Sequence, residues 1–284
     1  TNNNGGNAVV SDFPLFIDGT PAVSGTTYEV TANTSHTATE TNQTGYTPSS
    51  WSKDCAADGT ITLLPGDNKT CEITNDDVSA SITLIKNVVN DDNGNAKPDD
   101  FKLTIGGTSV TSGQKLDVDA NKAYALNETV LSGYKFIDIT GDSKCPSVLG
   151  GTATLNEGEN ITCTITNNDI APSITLIKKV INDNNGTAGV NDFGLAIGAT
   201  AVTSGQTLDV LANTSYALDE AGLTGYKFVD ITGDEECPSV LGGDVSLDEG
   251  ENITCTITND DVQPMLTVYK IVSNDDGGNL LSSD

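Results

Sequence analysis

Ser81-Ile-Thr-Leu-Ile-Lys86 is the stretch that decides the fold, because it returns as Ser173-Ile-Thr-Leu-Ile-Lys178 and, more weakly, as Met265-Leu-Thr-Val-Tyr-Lys270. The lysines that end the three copies are 92 residues apart each time. Alternating apolar and β-branched residues are typical of a strand, and self-similarity at a fixed spacing indicates a repeat protein. The sequence therefore predicts tandem β domains that each open with this strand.

Later strands repeat in the same register, and a diverged copy of them precedes the first full repeat. The repeating segments are residues 133–141 with 225–233 and 159–167 with 251–259, and the diverged copy shows Gly45-Tyr46 and residues 70–75 in the matching places. We predict a first repeat without its opening strand at residues 1–77, complete repeats at 78–169 and 170–261, and an unaccompanied opening strand at 262–284.

Each repeat contains about seven short strands separated by Gly, Asn and Asp turns, which is typical of a β-sandwich. The junctions are a few residues long and lack the Gly/Ser padding of a flexible linker, as in Asn167-Asn-Asp-Ile-Ala-Pro172. The predicted fold class is all-β, with tandem Ig-like Greek-key β-sandwich domains that form an extended rod.

The composition excludes several classes of function. The 284 residues carry a net charge of −27, and all thirteen basic residues are lysines. Nucleic acids and anionic membranes are bound through clusters of basic residues, so we expect neither as a partner. No run approaches the roughly 18 consecutive apolar residues of a spanning helix, so we also expect no direct membrane insertion.

Six cysteines fall two to a repeat. The pairs are Cys55 with Cys71, Cys145 with Cys163, and Cys237 with Cys255. An even number that recurs within each repeat, without any Cys-x-x-Cys spacing, predicts one disulfide per domain and an extracellular or cell-surface location. The alternative is a metal-thiolate site, but no histidine accompanies the cysteines and four-ligand spacing is absent.

Strand parity places three polar side chains among apolar ones in each complete repeat, since residues two apart share a face. Lys86 shares its face with Ile82 and Leu84, and Glu128 and Asn167 follow apolar residues in the same way. The third repeat has Lys178, Glu220 and Asn259 in these places. Buried charges are normally paired, so we expect each set to meet in the interior.

Two interpretations of this trio remain open. One is a buried Lys–Glu ion pair whose hydrogen bonds the Asn completes. The other is a self-made covalent bond: desolvation lowers a lysine pKa and raises a glutamate pKa, so a neutral amine could attack the Asn amide while the protonated Glu shuttles protons. Ammonia would leave, and an isopeptide would tie the first strand to the last.

The stretches Tyr124-Ala-Leu-Asn-Glu128, followed by Gly133-Tyr134, and Tyr216-Ala-Leu-Asp-Glu220, followed by Gly225-Tyr226, resemble the Tyr-x-Leu-x-Glu…Gly-Tyr box of Cna-B-type (SpaA-like, prealbumin-like) domains. The resemblance covers essentially the whole chain, although His36-Thr-Ala-Thr-Glu40 lacks the aromatic and the Leu. It implies a stalk of a surface adhesin or a pilus shaft. In many such domains a first-strand Lys joins a last-strand Asn with help from the boxed Glu.

The first repeat has Glu40 and Asn75 but no first-strand lysine, whereas the last segment has Lys270 but no acceptor. A sandwich without a strand exposes an apolar groove and open edges. We predict that residues 265–284 fill the first repeat of the next subunit by strand addition, with Lys270 bonding to Asn75 between subunits. The alternative is a window cut from a longer array of continuous repeats.

An Asx-rich loop follows each first strand, and its oxygen ligands suit Ca²⁺, although Asn, Asp and Gly are equally what tight turns require. The candidate ligands are Asp91, Asp92, Asp99, Asp100, Asp183, Asp192, Asp275 and Asp276, joined at the junctions by Asp76, Asp77, Asp169, Asp260 and Asp261. Candidate N-glycosylation acceptors are Asn33, Asn42, Asn68, Asn127, Asn160, Asn185, Asn213 and Asn252.

These features favour a structural subunit of an extracellular fibre, assembled head-to-tail from identical subunits as an open filament. The alternative is a segment of a long adhesin stalk with its binding head elsewhere. We expect no enzyme activity beyond autocatalytic isopeptide formation and no required cofactor, with Ca²⁺ as a candidate ligand. His36 is the only histidine, so distributed Ser-His or Cys-His machinery is not expected.

Overall fold

The computed structural model describes residues 1–283. Asp284, the last residue of the predicted segment 262–284, lies outside the described residues. The chain divides into two units: the first contains Thr1–Asp91 and Asn95–Ile170, and the second contains Asp92–Gly94 and the residues from Ala171 onward. Each unit is described by itself.

The first repeat lies in the first unit and begins with a 3₁₀ turn at Val10–Asp12. Its strands are β1 (Leu15–Ile17), β2 (Thr20–Ala22), β3 (Ser35–Glu40), β4 (Tyr46–Pro48), β5 (Ser52–Lys53), β6 (Thr60–Thr62), β7 (Cys71–Glu72) and β8 (Asn75–Asp77). One four-stranded sheet forms in the order β2-β1-β3-β6. The remaining strands make only two-stranded pairs, β4 with β8 and β5 with β7.

The second repeat completes the first unit, with a 3₁₀ turn at Pro98–Asp100. Its strands are β9 (Ala80–Val89), β10 (Leu103–Ile105), β11 (Thr108–Val110), β12 (Lys115–Val118), β13 (Ala123–Glu128), β14 (Tyr134–Gly141), β15 (Thr152–Thr154) and β16 (Asn160–Asp169). They form two four-stranded sheets, in the orders β12-β9-β16-β14 and β11-β10-β13-β15.

The opening strand β9 lies in the middle of its sheet. It pairs antiparallel with β12 and parallel with the last strand, β16, where Lys86 lies opposite Ile165 and Val88 opposite Asn167. A parallel pair needs a long connection between its strands, and here the rest of the repeat supplies it. The first and last strands of the domain therefore lie side by side.

The third repeat lies in the second unit, with a 3₁₀ turn at Val190–Asp192. Its strands are β17 (Ser173–Ile181), β18 (Leu195–Ile197), β19 (Thr200–Val202), β20 (Thr207–Asp209), β21 (Ser215–Glu220), β22 (Tyr226–Gly233), β23 (Gly243–Ser246) and β24 (Asn252–Asp261). The sheet orders are β20-β17-β24-β22 and β19-β18-β21-β23, and β17 again runs parallel to β24. The residues after Asp261 that the structure describes form no strand.

The inward faces of the two sheets make the core of each complete repeat. Ile82, Leu84, Leu126 and Ile165 are fully buried in the second repeat, and the third has an equivalent cluster around Ile174 and Leu176. In the first repeat the only buried apolar side chain among the described residues is Cys55. The predicted all-β class with tandem sandwich domains is confirmed.

The three predicted disulfides are present. Cys55 pairs with Cys71, Cys145 with Cys163 and Cys237 with Cys255, and no described cysteine is free. Each bond joins the segment after the fifth strand of the first repeat, or after the sixth strand of the other two, to the last-strand region, with sequence separations of 16, 18 and 18 residues. In the described part of the chain no helix is long and apolar enough to cross a membrane.

Candidate functional site

The side chains of Lys86, Glu128 and Asn167 meet in the interior of the second repeat. Lys86 lies on β9 and Asn167 on the neighbouring β16, while Glu128 ends β13 in the facing sheet. Alternation along each strand turns these three side chains toward the core, as it does their apolar neighbours. The site therefore connects the first strand, the last strand and the opposite sheet.

The geometry around Lys86 is tight and dry. Its Nζ lies 2.7 Å from Glu128 Oε2 and donates a 2.6 Å hydrogen bond to Asn167 Oδ1. The Lys86 and Glu128 side chains are 0% and 1% exposed. The ammonium also lies 4.2 Å from the centre of the Phe101 ring, which is a favourable cation–π distance.

The third repeat reproduces this site. Lys178 Nζ lies 2.6 Å from Glu220 Oε2 and donates a 2.7 Å hydrogen bond to Asn259 Oδ1. Its side chain is 0% exposed, and Nζ lies 4.3 Å from the centre of the Phe193 ring. Two independent copies of one geometry indicate that the arrangement is specified by the repeat.

Burial changes the acidity of both lysines. Desolvation disfavours the ammonium and lowers the pKa of Lys86 below its usual value, and the hydrogen bond and charge of Glu128 only partly oppose that shift. The pKa of Lys178 is lowered for the same reason, with Glu220 opposing. A lowered pKa makes the neutral, nucleophilic amine more accessible near neutral pH.

The arrangement brings an amine, a carboxyl group and a carboxamide within hydrogen-bonding reach of one another. The amine is held against the Asn carboxamide in an enclosed site. Glu128 Oε1 accepts no hydrogen bond from the described residues, so this oxygen has capacity to hold or pass a proton. These are the parts that amide exchange between Lys and Asn requires.

The first repeat keeps the acceptor side of the site alone. Asn75 Nδ2 donates a 2.9 Å hydrogen bond to Glu40 Oε2, and no lysine among the described residues joins them. Both side chains line an open groove of about 270 Å³ that also contains Phe13, Leu15 and Ile73. The groove is where the opening strand lies in the complete repeats.

Most of the described residues after the third repeat are exposed. Met265, Leu266, Val268 and Ile271 are 96%, 89%, 80% and 90% exposed. Lys270, the predicted partner of Glu40 and Asn75, is also exposed. Large exposed apolar stretches are typical of interaction surfaces or of aggregation-prone segments.

The candidate metal ligands separate into two groups. The carboxylates of Asp183, Asp260 and Asp261 lie within 4.8 Å of one another, as do those of Asp91 and Asp169. However, Asp261 already accepts backbone hydrogen bonds from Asn184 (3.0 Å) and Gly186 (2.6 Å). Burial alone would raise the pKa of Asp261, and these bonds lower it below its usual value.

The other predicted ligands lie apart from these groups. Asp99, Asp100 and Asp192 belong to the 3₁₀ turns, where Asp100 and Asp192 accept hydrogen bonds from the backbone of Lys97 (2.7 Å) and Gly189 (2.8 Å). Asp275 and Asp276 are exposed in the last segment. The Asp side chains thus organise turns, and calcium binding stays a prediction.

The asparagines of all eight predicted glycosylation sites are exposed, and glycosylation also stays a prediction. The sequence reasoning missed the two phenylalanines that cover the lysines. A signal was available, because Phe13, Phe101 and Phe193 each follow an Asp at the same place in the repeat. It also missed the tyrosine that fixes the loop after the first strand: Tyr226 Oη donates to Asn182 at 2.6 Å and accepts from Ala188 at 2.8 Å.

A family model described as a prealbumin-like fold domain matches residues 1–73, 77–165 and 169–257. No curated protein sequence matches the chain. Similar solved structures include the major pilin from Streptococcus pyogenes (14% identity, 65% of this chain and 98% of the pilin, TM-score 0.26). Others are a C-terminal fragment of pilus adhesin SpaC from Lactobacillus rhamnosus GG (15%, 66% and 100%, TM-score 0.33) and the Bacillus anthracis TIE protein (14%, 72% and 38%, TM-score 0.39).

Proposed function

Because the chain belongs to the prealbumin-like fold domain family, we propose that it is a structural subunit of an extracellular pilus-like fibre. Its domains would be tied by disulfides and by Lys–Asn isopeptide bonds. The observation that carries this proposal is the dry Lys–Glu–Asn site, which occurs twice between the first and last strands of a domain.

The position of the site matches a mechanical role. In a tandem repeat the chain enters each domain through its first strand and leaves through its last, so tension on the fibre acts on these two strands. A covalent bond from Lys86 to Asn167 would transmit that tension directly and leave the intervening residues unloaded. Disulfides at three places and an oxidising environment fit the same extracellular setting.

The bond-forming step balances without a cofactor. The neutral Lys amine attacks the Asn carboxamide carbon, a new C–N bond forms, and the amide nitrogen leaves as ammonia. The carboxyl group of Glu128 or Glu220 takes the proton from the attacking amine and gives one to the leaving nitrogen. No net oxidation occurs, and the chain needs no catalytic activity toward other molecules.

Assembly would use the exposed last segment as a donor strand for the first repeat of another copy. If it binds as β9 and β17 do, Leu266 lies opposite Tyr28 and Lys270 beside Ile73, with the Lys270 side chain directed at Glu40 and Asn75. Residues 27–30, which match β12 and β20, form no strand in the first repeat. They would pair with the donor on its other edge.

Thr1 already occupies the position in the sheet that would follow the donor strand. The Thr1 amino group donates to the Asn75 carbonyl and the Asp77 amide donates to the Thr1 carbonyl at 3.1 Å. We therefore expect the donor to pair only as far as Val272, and the residues from Ser273 to Ser283 to lie outside the sheet. This position of Thr1 also favours the second candidate, a stalk of continuous repeats in which a stretch ahead of Thr1 fills the same groove.

Removal of residues 265–284 tests the assembly proposal. We expect the full chain to form linear polymers visible by electron microscopy and the shortened chain to remain monomeric at the same concentration. Leu266→Asp is the matched control that keeps the chain length, and it should also block assembly because it buries a charge. Polymers that survive both changes would contradict strand exchange and leave the continuous stalk.

A further inference from the structure

The junction between the first two repeats contains a polar contact that the chain repeats. In the first unit the backbone N–H of Ala120 donates to the carbonyl of Asn4 at 2.8 Å, and Asn121 Nδ2 donates to the carbonyl of Gly5 at 3.1 Å. Asn121 has a positive φ of 58°, which Asn tolerates better than most residues. This backbone conformation turns its amide toward the loop after the missing first strand.

The second unit contains the equivalent contact one repeat further along the chain. There the N–H of Ala212 donates to the Asp92 carbonyl at 2.9 Å, and Asn213 Nδ2 donates to the Asn93 carbonyl at 3.2 Å. Asn213 has a φ of 54°. The docking element is thus an Ala-Asn pair on one repeat, and its acceptor is a pair of loop carbonyls from the repeat before it.

The first repeat contains a third copy of the docking element, Ala32-Asn33, which contacts no loop of a preceding repeat among the residues that the structure describes. Asn33 has a φ of 56°, and its N–H donates to the Leu63 carbonyl at 2.7 Å, just as Asn121 donates to Leu155 at 2.7 Å. In the described part of the chain, the Ala32 N–H and the side-chain amide of Asn33 make no hydrogen bond. Both residues are exposed, so these donors have the docking geometry and are available to a partner.

The third repeat carries an unused copy of the acceptor. Asn184 and Asn185 occupy the places of Asp92 and Asn93 in the loop, and Asn185 has a φ of 65° where Asn93 has 66°. Asp261 fixes this loop through the backbone N–H groups of Asn184 and Gly186. The loop is therefore held in the docking conformation without a partner.

Side chains next to the contact identify which loop fits the first repeat. Asn93 Nδ2 donates to the Ala212 carbonyl at 2.8 Å and to Thr214 Oγ1 at 3.1 Å, whereas Gly5 has no side chain and the position of Thr214 is held by Lys122. A loop with Asn at this position therefore contacts a repeat with Thr after the Ala-Asn pair, and a loop with Gly contacts a repeat with Lys there. The first repeat has Thr34 in this place, and the third-repeat loop has Asn185.

We propose that the Asn184–Asn185 loop of one copy of this chain docks on Ala32, Asn33 and Thr34 of a second copy. The Ala32 N–H donates to the Asn184 carbonyl, Asn33 Nδ2 to the Asn185 carbonyl, and Asn185 Nδ2 to Thr34 Oγ1. This inference rests on the proposed head-to-tail assembly and adds the face that sets its register. The loop at residues 274–280 fits less well, because Gly277 holds the position of Asn185.

The contact suits two acidic chains. Every group in it is neutral, so it adds no charge to the repulsion between copies that each carry −27. Salt screens that repulsion and leaves short hydrogen bonds intact. We therefore expect association to strengthen from low to physiological ionic strength. Asn33 and Asn185 are also predicted glycan acceptors, so the tests use unglycosylated protein.

An exchange of side chains tests the pairing. Thr34→Lys alone should raise the dissociation constant for assembly about three- to tenfold, since it removes one hydrogen bond and leaves the Asn185 amide unpaired. The double variant with Asn185→Gly reproduces the Gly5–Lys122 combination and should recover most of the loss. The pairing would be overturned if Thr34→Lys and the double variant had the same dissociation constant, or if neither differed from the parent.

A cysteine pair separates this inference from the strand-exchange proposal. Thr34→Cys with Asn185→Cys should give a ladder of disulfide-linked chains under mild oxidation, and Ser50→Cys with Asn185→Cys is the control that should not. Polymers seen by electron microscopy without a ladder would overturn the docking face and leave strand exchange standing. A ladder in the chain shortened to residue 264 would support the face even if the donor strand failed, and no ladder in either chain would overturn it.

Discussion

The second repeat encloses Lys86, Glu128 and Asn167 between two four-stranded sheets, whereas the first repeat holds only Glu40 and Asn75 at the edge of an open groove. The two repeats share the order of the remaining strands and one disulfide each. The main difference is β9, which has no counterpart in the first repeat, where the residues that match β12 form no strand either. Strand β9 contributes the fully buried Ile82 and Leu84 and the lysine of the site.

The comparison shows that the opening strand organises both the core and the chemistry. Without it, residues 27–30 do not pair, the last strand breaks into β7 and β8, and only Cys55 among the apolar side chains is buried. A strand from outside would restore the sheet and bring the lysine to Glu40 and Asn75 in one step. Under the proposed strand exchange, the first repeat would therefore recognise its donor strand partly through the charge of the lysine.

The largest contrast should come from removing the glutamates. Glu128→Ala leaves Lys86 as an unpaired buried charge and should cost about 3–5 kcal/mol of stability. Glu40→Ala removes one hydrogen bond at an open edge and should cost about 1 kcal/mol or less. Hydrogen exchange of β16 in one variant and of residues 71–77 in the other measures the two costs. Equal losses would mean that Glu128 does not face a charged or reacting lysine.

Loss of a disulfide should cost the second repeat less stability than loss of Glu128, and it should affect the two repeats unequally. Replacing both Cys145 and Cys163 by Ser opens an 18-residue loop and should cost about 3 kcal/mol. The second repeat should still fold, because its core and the Lys86 site persist. The matching change at Cys55 and Cys71 should unfold the first repeat, which has no other buried apolar side chain. Limited proteolysis under non-reducing conditions reports each repeat, and equal resistance of the two variants would contradict this ranking.

His36, the only histidine of the chain, gives the first repeat a dependence on pH near neutrality. Its Nδ1 lies 2.6 Å from Asp18 Oδ2 and its Nε2 lies 2.8 Å from the Thr31 carbonyl, so only the imidazolium can donate to both. The hydrogen bond to Asp18 raises the pKa of His36 above 6.5, with help from Thr31.

The raised pKa determines the direction in which stability changes with pH. The stabilisation is complete below the unfolded pKa near 6.5 and is lost as pH rises through the higher folded value. Residues 27–34 of the first repeat should therefore exchange hydrogen faster at pH 8 than at pH 6, after correction for intrinsic rates. His36→Tyr, which installs the residue found at Tyr124 and Tyr216, should remove the dependence. A dependence that persists in this variant would assign it to another group.

Calcium should have the smallest effect. Both oxygens of Asp261 already accept backbone hydrogen bonds, so the group formed with Asp183 and Asp260 offers few free lone pairs. We expect millimolar calcium or a chelator to leave the melting temperature unchanged within about 1 °C. A calcium-dependent rise that Asp183→Asn abolishes would instead establish the predicted site.

Much of this structure follows from local pattern. Strand parity suffices to place Lys86, Glu128 and Asn167 on inward faces, because side chains alternate strictly along a strand. Recurrence of two cysteines per repeat suffices for the disulfides. The sequence pattern does not show which elements pack against each other. Phe101 reaches the Lys86 ammonium only because β9 packs over the 3₁₀ turn at Pro98–Asp100.

The Asx-rich loops show a second limit of sequence reasoning. Asp261 and Asp183 have the composition of a cation site, yet Asp261 is occupied by N–H groups of a loop some 75 residues away in the chain. Composition cannot tell an acceptor of backbone hydrogen bonds from a metal ligand, because both uses need the same oxygens. The Asn33 face was missed for a related reason: its role is visible only beside Asn121 and Asn213 in their contacts.

The most direct test supplies the missing strand as a peptide. Intact mass spectrometry of the reduced, denatured chain shortened to residue 264 should show a deficit of two ammonia molecules, one for each complete repeat. A synthetic peptide of residues 263–273 should bind this chain and become attached with loss of a third ammonia, at Asn75. The Lys270→Arg peptide should bind without attachment. A chain at its full sequence mass that ignores both peptides would contradict the self-ligating fibre subunit.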